Sequence, residues 1–200
     1  MRCGGIVLCG GKSSRMGTAK ANLPFGPECM LTRMVRILSS VLSPVVVVAA
    51  AEQPVPALPP EVLLAYDAQA ERGPLMGLAT GLALLEGQVD AVFLSGCDTP
   101  LLKPEFISAM LAELGEHAML VPQDDSRVYP LASVYRMQCL PHVQALLAAD
   151  CLRMTSIFER LPTRFIATAA LREVDANLHS LLNVNTPADY DLALRLANLP

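Results

Sequence analysis

The sequence predicts an α/β domain built on a mostly parallel sheet with helices on both faces. Three observations carry this expectation. Short apolar runs alternate along the chain with segments of helical period. One run, Val45–Ala50, contains no polar residue, as suits a central strand buried on both faces. A glycine-rich segment follows the first apolar run directly, at the place where open α/β sheets bind ligands.

The elements follow in order. Gly4–Leu8 reads as the first strand. Met30–Leu42 carries Leu31, Met34, Val35, Leu38 and Leu42 on one helical stripe. Val45–Ala50 is the second strand, and Pro54–Pro60 is a loop inside the domain. Val62–Tyr66 is a third strand, ending in Asp67. Met76–Leu85 is an apolar, alanine-rich helix. Ala91–Ser95 is a fourth strand, followed by the loop Gly96-Cys97-Asp98-Thr99-Pro100. Pro104–Leu114 is a helix with proline in its first turn, where the missing N–H costs nothing. Met119–Pro122 and Leu131–Tyr135 read as strands around the polar loop Gln123–Tyr129. Pro141–Ala149 is a helix, Thr155–Arg160 a shorter one and Arg164–Thr168 a further strand. Thr186-Pro187-Ala188-Asp189 supplies an N-cap, a proline at the first helical position and an acid at the third, opening a last helix to about Ala197.

Composition narrows the class. A chain of 200 residues, 52% hydrophobic and 17% charged, suits one folded domain and excludes a disordered one. Its net charge of −4 argues against a nucleic-acid binder, which would need a basic face. The longest apolar run, Val45–Ala51, has seven residues, far short of the ~20 that span a bilayer. No secretory signal is read at the N-terminus, so a cytoplasmic location is expected. The six cysteines show no paired spacing and read as reduced, mostly buried small hydrophobes. The three histidines are scattered, which disfavours a histidine metal site or a catalytic triad.

Positive charge is distributed tellingly. Lys12, Lys20 and Lys103 are the only lysines, and two of them fall in the segment Leu8-Cys9-Gly10-Gly11-Lys12-Ser13-Ser14-Arg15-Met16-Gly17-Thr18-Ala19-Lys20. Its glycines allow positive φ and close backbone approach. Clustered N–H groups, two serines, an arginine and two lysines make a concave anion site. The spacing fits neither a Walker A loop nor the GxGxxG dinucleotide fingerprint. Asp98 closes a buried strand and is the best candidate magnesium ligand, since that ion takes one or two carboxylates plus substrate phosphates. An Asp before Thr99-Pro100 also suits an Asx-turn. Asp67 closes another strand, ahead of Gly73-Pro74-Leu75-Met76-Gly77, where a Gly-Pro turn exposes backbone groups able to read a purine edge. Asp67 also suits a capping or loop role. Asn183 and Asn185, at i and i+2 of the extended segment Asn183-Val184-Asn185-Thr186-Pro187, point the same way.

These motifs, in this order, resemble the MobA-like nucleotidyltransferases, which use the molybdenum cofactor as acceptor. The signature GGxSxRMGxxK is followed by Asp with GPLxG, then CDTP, PLxxxYR at Pro130–Arg136 and NVNTP, from Leu8 to about Leu192. The resemblance is closest to the guanylyl-transferring members. It implies a three-layer Rossmann-like nucleotidyltransferase fold in one domain, with residues 1–115 forming a nucleotide-binding half and 116–200 an acceptor-binding half. It implies catalytic roles for Arg15, Lys20 and Asp98, with Asp98 on Mg²⁺. It implies nucleotide contacts from Leu8, Cys9, Gly10, Gly11, Lys20, Asp67, Gly73, Pro74, Leu75 and Asp98. Asn183, Asn185 and, by a looser match, Arg153 would face the acceptor. The implied partners are GTP, molybdenum-molybdopterin and proteins that deliver or accept the cofactor, with no nucleic acid and no membrane.

The sequence departs from the family pattern at three places. Val45–Ala50 ends in alanines where many members carry an Asn, Cys9 stands where Ala is usual, and Tyr129 where His is frequent. The alternatives on sequence are cytidylyl transfer to the same cofactor, nucleotidyl transfer to a sugar phosphate, and a binding module without turnover.

Overall fold

The computed structural model describes residues 1–10, 19–67 and 72–199. Its elements are β1 (Cys3–Cys9), β2 (Pro24–Phe25), β3 (Glu28–Cys29), α1 (Met30–Ser39), β4 (Val45–Ala49), β5 (Leu63–Tyr66), α2 (Gly73–Leu85), β6 (Ala91–Gly96), α3 (Pro104–Glu113), β7 (Met119–Gln123), β8 (Ala132–Arg136), α4 (Leu140–Ala148), β9 (Thr163–Ala167) and α5 (Pro187–Leu196). Seven strands form one sheet in the order β5-β4-β1-β6-β8-β7-β9. β5, β4, β1 and β6 run parallel, β8 runs antiparallel to β6 and β7, and β7 and β9 are parallel.

Strand composition follows from this layering. Ile6, Val46, Val48, Val92 and Leu94 pack on one face against Leu75, Leu78 and Leu82 of α2 and Val143 and Leu146 of α4. Val7, Val45, Val47 and Phe93 pack on the other face against Met34 and Leu38 of α1 and Phe106 and Met110 of α3. A strand with a core on each side must be apolar at successive positions, which is why these strands read as unbroken runs. The α2 layer lies close to β1 because Gly81 has no side chain: a Cβ there would stand 2.6 Å from Ile6 Cδ1.

A third small core, Phe25, Met30, Val184 and Ala193, packs α5 onto the β2–β3 hairpin. The Tyr190 hydroxyl bonds the Pro24 carbonyl across the same junction. The C-terminal segment is thereby returned to the N-terminal end of the chain.

Several boundaries move from the sequence expectation. The helix read as Met30–Leu42 ends at Ser39, because the chain must turn through Ser40–Ser43 to enter β4, and the Ser43 N–H already bonds the Cys3 carbonyl at 3.2 Å. α2 starts at Gly73 rather than Met76, so Gly73-Pro74-Leu75 is the first helical turn and not a free Gly-Pro turn. Proline fits there because the N–H it lacks has no helical partner. The segment read as a short helix at Thr155–Arg160 is a 3₁₀ turn, Met154–Glu159. The β2–β3 hairpin, which turns at Gly26 with φ +69°, carries too few residues for a strand signal.

Candidate active site

The sheet has its switch point at β1. The chain leaves β1 for β4 on one side, while β6 on the other side leads toward α3 and the antiparallel strands. Such a reversal leaves a crevice at the carboxyl ends of the two strands. Backbone bonds extend the ladder one residue past both ends: Cys97 N–H donates to the Leu8 carbonyl at 2.9 Å, and Ala50 N–H to the Cys9 carbonyl at 3.2 Å. Gly10 and Asp98 therefore emerge from neighbouring strands at the same rim.

Asp98 is held from both sides. Its carbonyl accepts the Val184 N–H at 2.8 Å. Its carboxylate folds back over Gly96, where a Cβ would stand 2.5 Å from Oδ1, so a side chain there would displace the carboxylate. The Ser95 and Thr99 hydroxyls bond each other at 3.1 Å, and Thr99 donates to the Gly96 carbonyl at 3.3 Å, closing the turn.

Lys20, on the 3₁₀ turn Lys20–Asn22, reaches into this crevice. Its Nζ donates to Asp98 Oδ2 at 3.2 Å and to Asn185 Oδ1 at 2.7 Å. The side chains of Lys20 and Asp98 are 18% and 19% exposed, so water screens their attraction only in part. Asn185 is fixed in turn by the start of α5. Asp189 Oδ2 accepts the N–H groups of Asn185 at 3.0 Å and Thr186 at 2.8 Å, and Thr186 Oγ1 accepts from Asp189 N–H at 3.2 Å. This is a capping box, and the Asn185 N–H leads the bonds that hold the Asp189 carboxyl below the usual range.

The β4–β5 side of the rim carries Asp67. Its N–H continues the β4 ladder to the Ala49 carbonyl at 2.9 Å, and its Oδ1 accepts from Thr80 of α2 at 3.1 Å. Burial pushes the Asp67 carboxyl up, and the Thr80 bond pulls it partly back. Gly73 and Pro74 are exposed at the start of α2, Gly73 with φ +70°. Leu75 is fully buried in the core, so only its backbone faces a ligand. Leu8 is half-buried beside Gly77.

Cys9 is fully buried, and its sulfur accepts from Gln53 Nε2 at 3.2 Å. Interaction with Cys97 holds the Cys9 thiol below its ordinary value, while interaction with Cys9 and burial push Cys97 well up.

The structure thus joins Lys20, Asp98 and Asn185 directly. Asn183 stands half-buried two residues before Asn185. Arg153 is exposed at the start of the 3₁₀ turn Met154–Glu159 and bonds none of these three. Gly11 and Arg15 lie outside the described residues. Sequence reasoning missed Thr80, Gln53 and Gly96 as supports, since each acts through a neighbour that only folding supplies. Asp189 was legible as a capping acid but not as the anchor of Asn185.

Among the described residues no group of three or more His, Cys, Asp or Glu gathers to hold a metal ion. Asp98 offers a hard carboxylate oxygen at the crevice, beside Lys20. A single carboxylate suits a magnesium-like ion that completes its shell with water and substrate phosphates, and not a metal that needs an all-protein cage. Among the described residues no helix is long and apolar enough to cross a membrane.

Residues 5–164 match the MobA-like NTP transferase domain. The chain belongs to the MobA-like NTP transferase family. A molybdenum cofactor guanylyltransferase of Desulfosudis oleivorans is 31% identical over 94% of this chain and 93% of its own. Among solved structures, molybdopterin-guanine dinucleotide biosynthesis protein A from Archaeoglobus fulgidus superposes with a TM-score of 0.81 at 21% identity, over 99% of each chain. The Mycobacterium tuberculosis protein Rv0371c, solved in complex with manganese, shares the fold with a TM-score of 0.63 at 16% identity, over 98% of this chain and 99% of its own. Family membership makes the chain a nucleotidyltransferase, and the fold expected from sequence is the one observed.

Proposed function

We propose that this nucleotidyltransferase moves GMP from GTP to the terminal phosphate of molybdenum-molybdopterin. An acceptor phosphate oxygen forms a bond to the α-phosphorus of GTP. The bond from that phosphorus to the bridging oxygen of the β-phosphate breaks, and pyrophosphate leaves. The acceptor oxygen is already anionic, so no general base is required. The observation that carries the reading is the Lys20–Asp98–Asn185 cluster at the carboxyl ends of β1 and β6, in a chain related over nearly its whole length to a molybdenum cofactor guanylyltransferase.

Lys20, together with Arg15, would neutralise and orient the triphosphate, because this chemistry is governed by positioning and charge. Asp98 would hold Mg²⁺, which when bound offsets charge on the phosphate oxygens. Gly10 and Gly11 would let the backbone approach the phosphates. Asp67 and the N–H groups of Gly73 and Leu75 would receive the base and ribose, and Asn183 and Arg153 would face the acceptor. Asn185 would serve both sides, since its amide oxygen positions Lys20.

The test measures pyrophosphate release with molybdenum-molybdopterin and Mg²⁺ across GTP, CTP, ATP and UTP. Turnover selective for GTP is expected. Equal turnover with CTP, or none with any nucleotide, would overturn the reading.

Asp67→Asn gives a second check with two signs. The folded state raises the Asp67 pKa, so this group favours folding below its unfolded value, and that contribution is lost as pH rises through the folded value. Above about pH 5 the free protein should therefore be no less stable as the Asn variant in a thermal melt. GTP affinity should fall about tenfold, the worth of one charge-assisted bond.

A further inference from the structure

The loop between β7 and β8 leaves the sheet at the same end as the crevice, on the side opposite Asp67. Ala132 pairs with Ser95, so Pro130 and Leu131 enter β8 alongside Gly96 and Cys97, one strand from Asp98. The sheet order sets a direction. β4 and β5, with Asp67, lie on one side of the β1–β6 pair, and β8 and β7 lie on the other. A nucleotide whose base points toward Asp67 leaves the β8–β7 side for the acceptor.

That side is built before any ligand arrives. Asp124 Oδ1 accepts from Ser126 N–H at 2.8 Å, Ser126 Oγ at 2.6 Å and Arg127 N–H at 3.0 Å, and Oδ2 accepts from the Tyr129 hydroxyl at 2.5 Å. Tyr129 N–H donates to the Pro122 carbonyl at 2.9 Å, and the Ser133 hydroxyl donates to the Tyr129 carbonyl at 2.7 Å. The Tyr135 hydroxyl holds the Pro130 carbonyl at 2.9 Å. On this frame the Arg127 guanidinium lies over the Tyr129 ring, 4.5 Å from its centroid. The tyrosine hydroxyl and the Asp124 carboxylate are spent inside the loop. What remains outward is a flat cation backed by an aromatic face, in a loop whose conformational entropy is already lost.

We propose that Arg127 and Tyr129 form the subsite for the heterocyclic ring end of the acceptor, with the guanidinium stacked on a flat, nitrogen-rich ring. The neighbouring Asp125 carboxylate is exposed and would oppose a phosphate, which favours the ring over the phosphate as the occupant. This subsite rests on the transfer reading given above.

The experiment uses the full chain with GTP, Mg²⁺ and molybdenum-molybdopterin, comparing the unsubstituted protein with Arg127→Ala and Arg127→Lys. Arg127→Ala should raise the acceptor KM about tenfold, the worth of a partly desolvated cation–π stack, with kcat, the GTP KM and the melting temperature unchanged. Arg127→Lys keeps the charge but not the plane, and should recover only a minor part of the loss. An unchanged acceptor KM in Arg127→Ala, or an equal rise in the GTP KM, overturns the subsite alone. If the unsubstituted protein binds GTP but transfers nothing to the acceptor, the transfer reading fails and the subsite falls with it.

Discussion

Asp98→Asn should lower nucleotidyl transfer about 10³-fold while leaving the fold and its melting temperature intact. The carboxylate is the acidic oxygen donor that stands directly against Lys20 in the crevice. An amide keeps the size, and its oxygen still accepts from Lys20, so the contact at 3.2 Å survives. The Asp98 carbonyl bond to Val184 N–H is a backbone bond and is untouched. What is lost is the negative charge that would hold Mg²⁺ against the triphosphate. Steady-state pyrophosphate release, measured with and without a chelator, checks this. Chelation should abolish turnover of the unsubstituted protein and leave the residual rate of the variant unchanged. Full activity in Asp98→Asn would remove the metal role from this residue.

Lys20→Met should cost about 10²–10³ in kcat/KM, the second-largest effect expected from a single substitution. Methionine retains most of the aliphatic reach but brings no charge to the phosphates. The site also loses its own order, because Lys20 Nζ joins Asp98 to Asn185. The backbone bond from Val184 N–H to the Asp98 carbonyl remains when Lys20 is replaced. The melting temperature should move little, since partly exposed ion pairs contribute about 1 kcal/mol or less. Lys20→Arg should not restore full rate. A planar fork cannot replace a compact ammonium set between a carboxylate and an amide oxygen. Comparing kcat/KM for all three proteins, with GTP binding followed by thermal shift, separates lost chemistry from lost binding.

Much of the layering was legible in the chain because it depends on local spacing. Val45–Ala49 could only be a doubly buried strand, and it is fully buried on both faces. Thr186-Pro187-Ala188-Asp189 announced the start of α5, and the capping box is present. β5 was legible as a strand but not as the sheet's edge, where Leu63, Leu64 and Tyr66 are left exposed. Nothing local distinguishes an edge strand from an inner one when its residues are apolar. The antiparallel direction of β8 was likewise hidden, since strand period carries no sense of direction.

The sequence by itself determined most of the sheet strands and long helices, and the carboxylates at strand ends. These follow from residue spacing and from each residue's own backbone preferences. Only the tertiary structure decided that Lys20 meets Asp98, 78 residues away, and Asn185, 165 residues away. That meeting requires the β1–β6 register, the tight turn over Gly96 and the packing of α5 on the β2–β3 hairpin, all at once. Contacts of that range are fixed by how layers pack, and packing depends on the whole chain rather than on any one stretch of it.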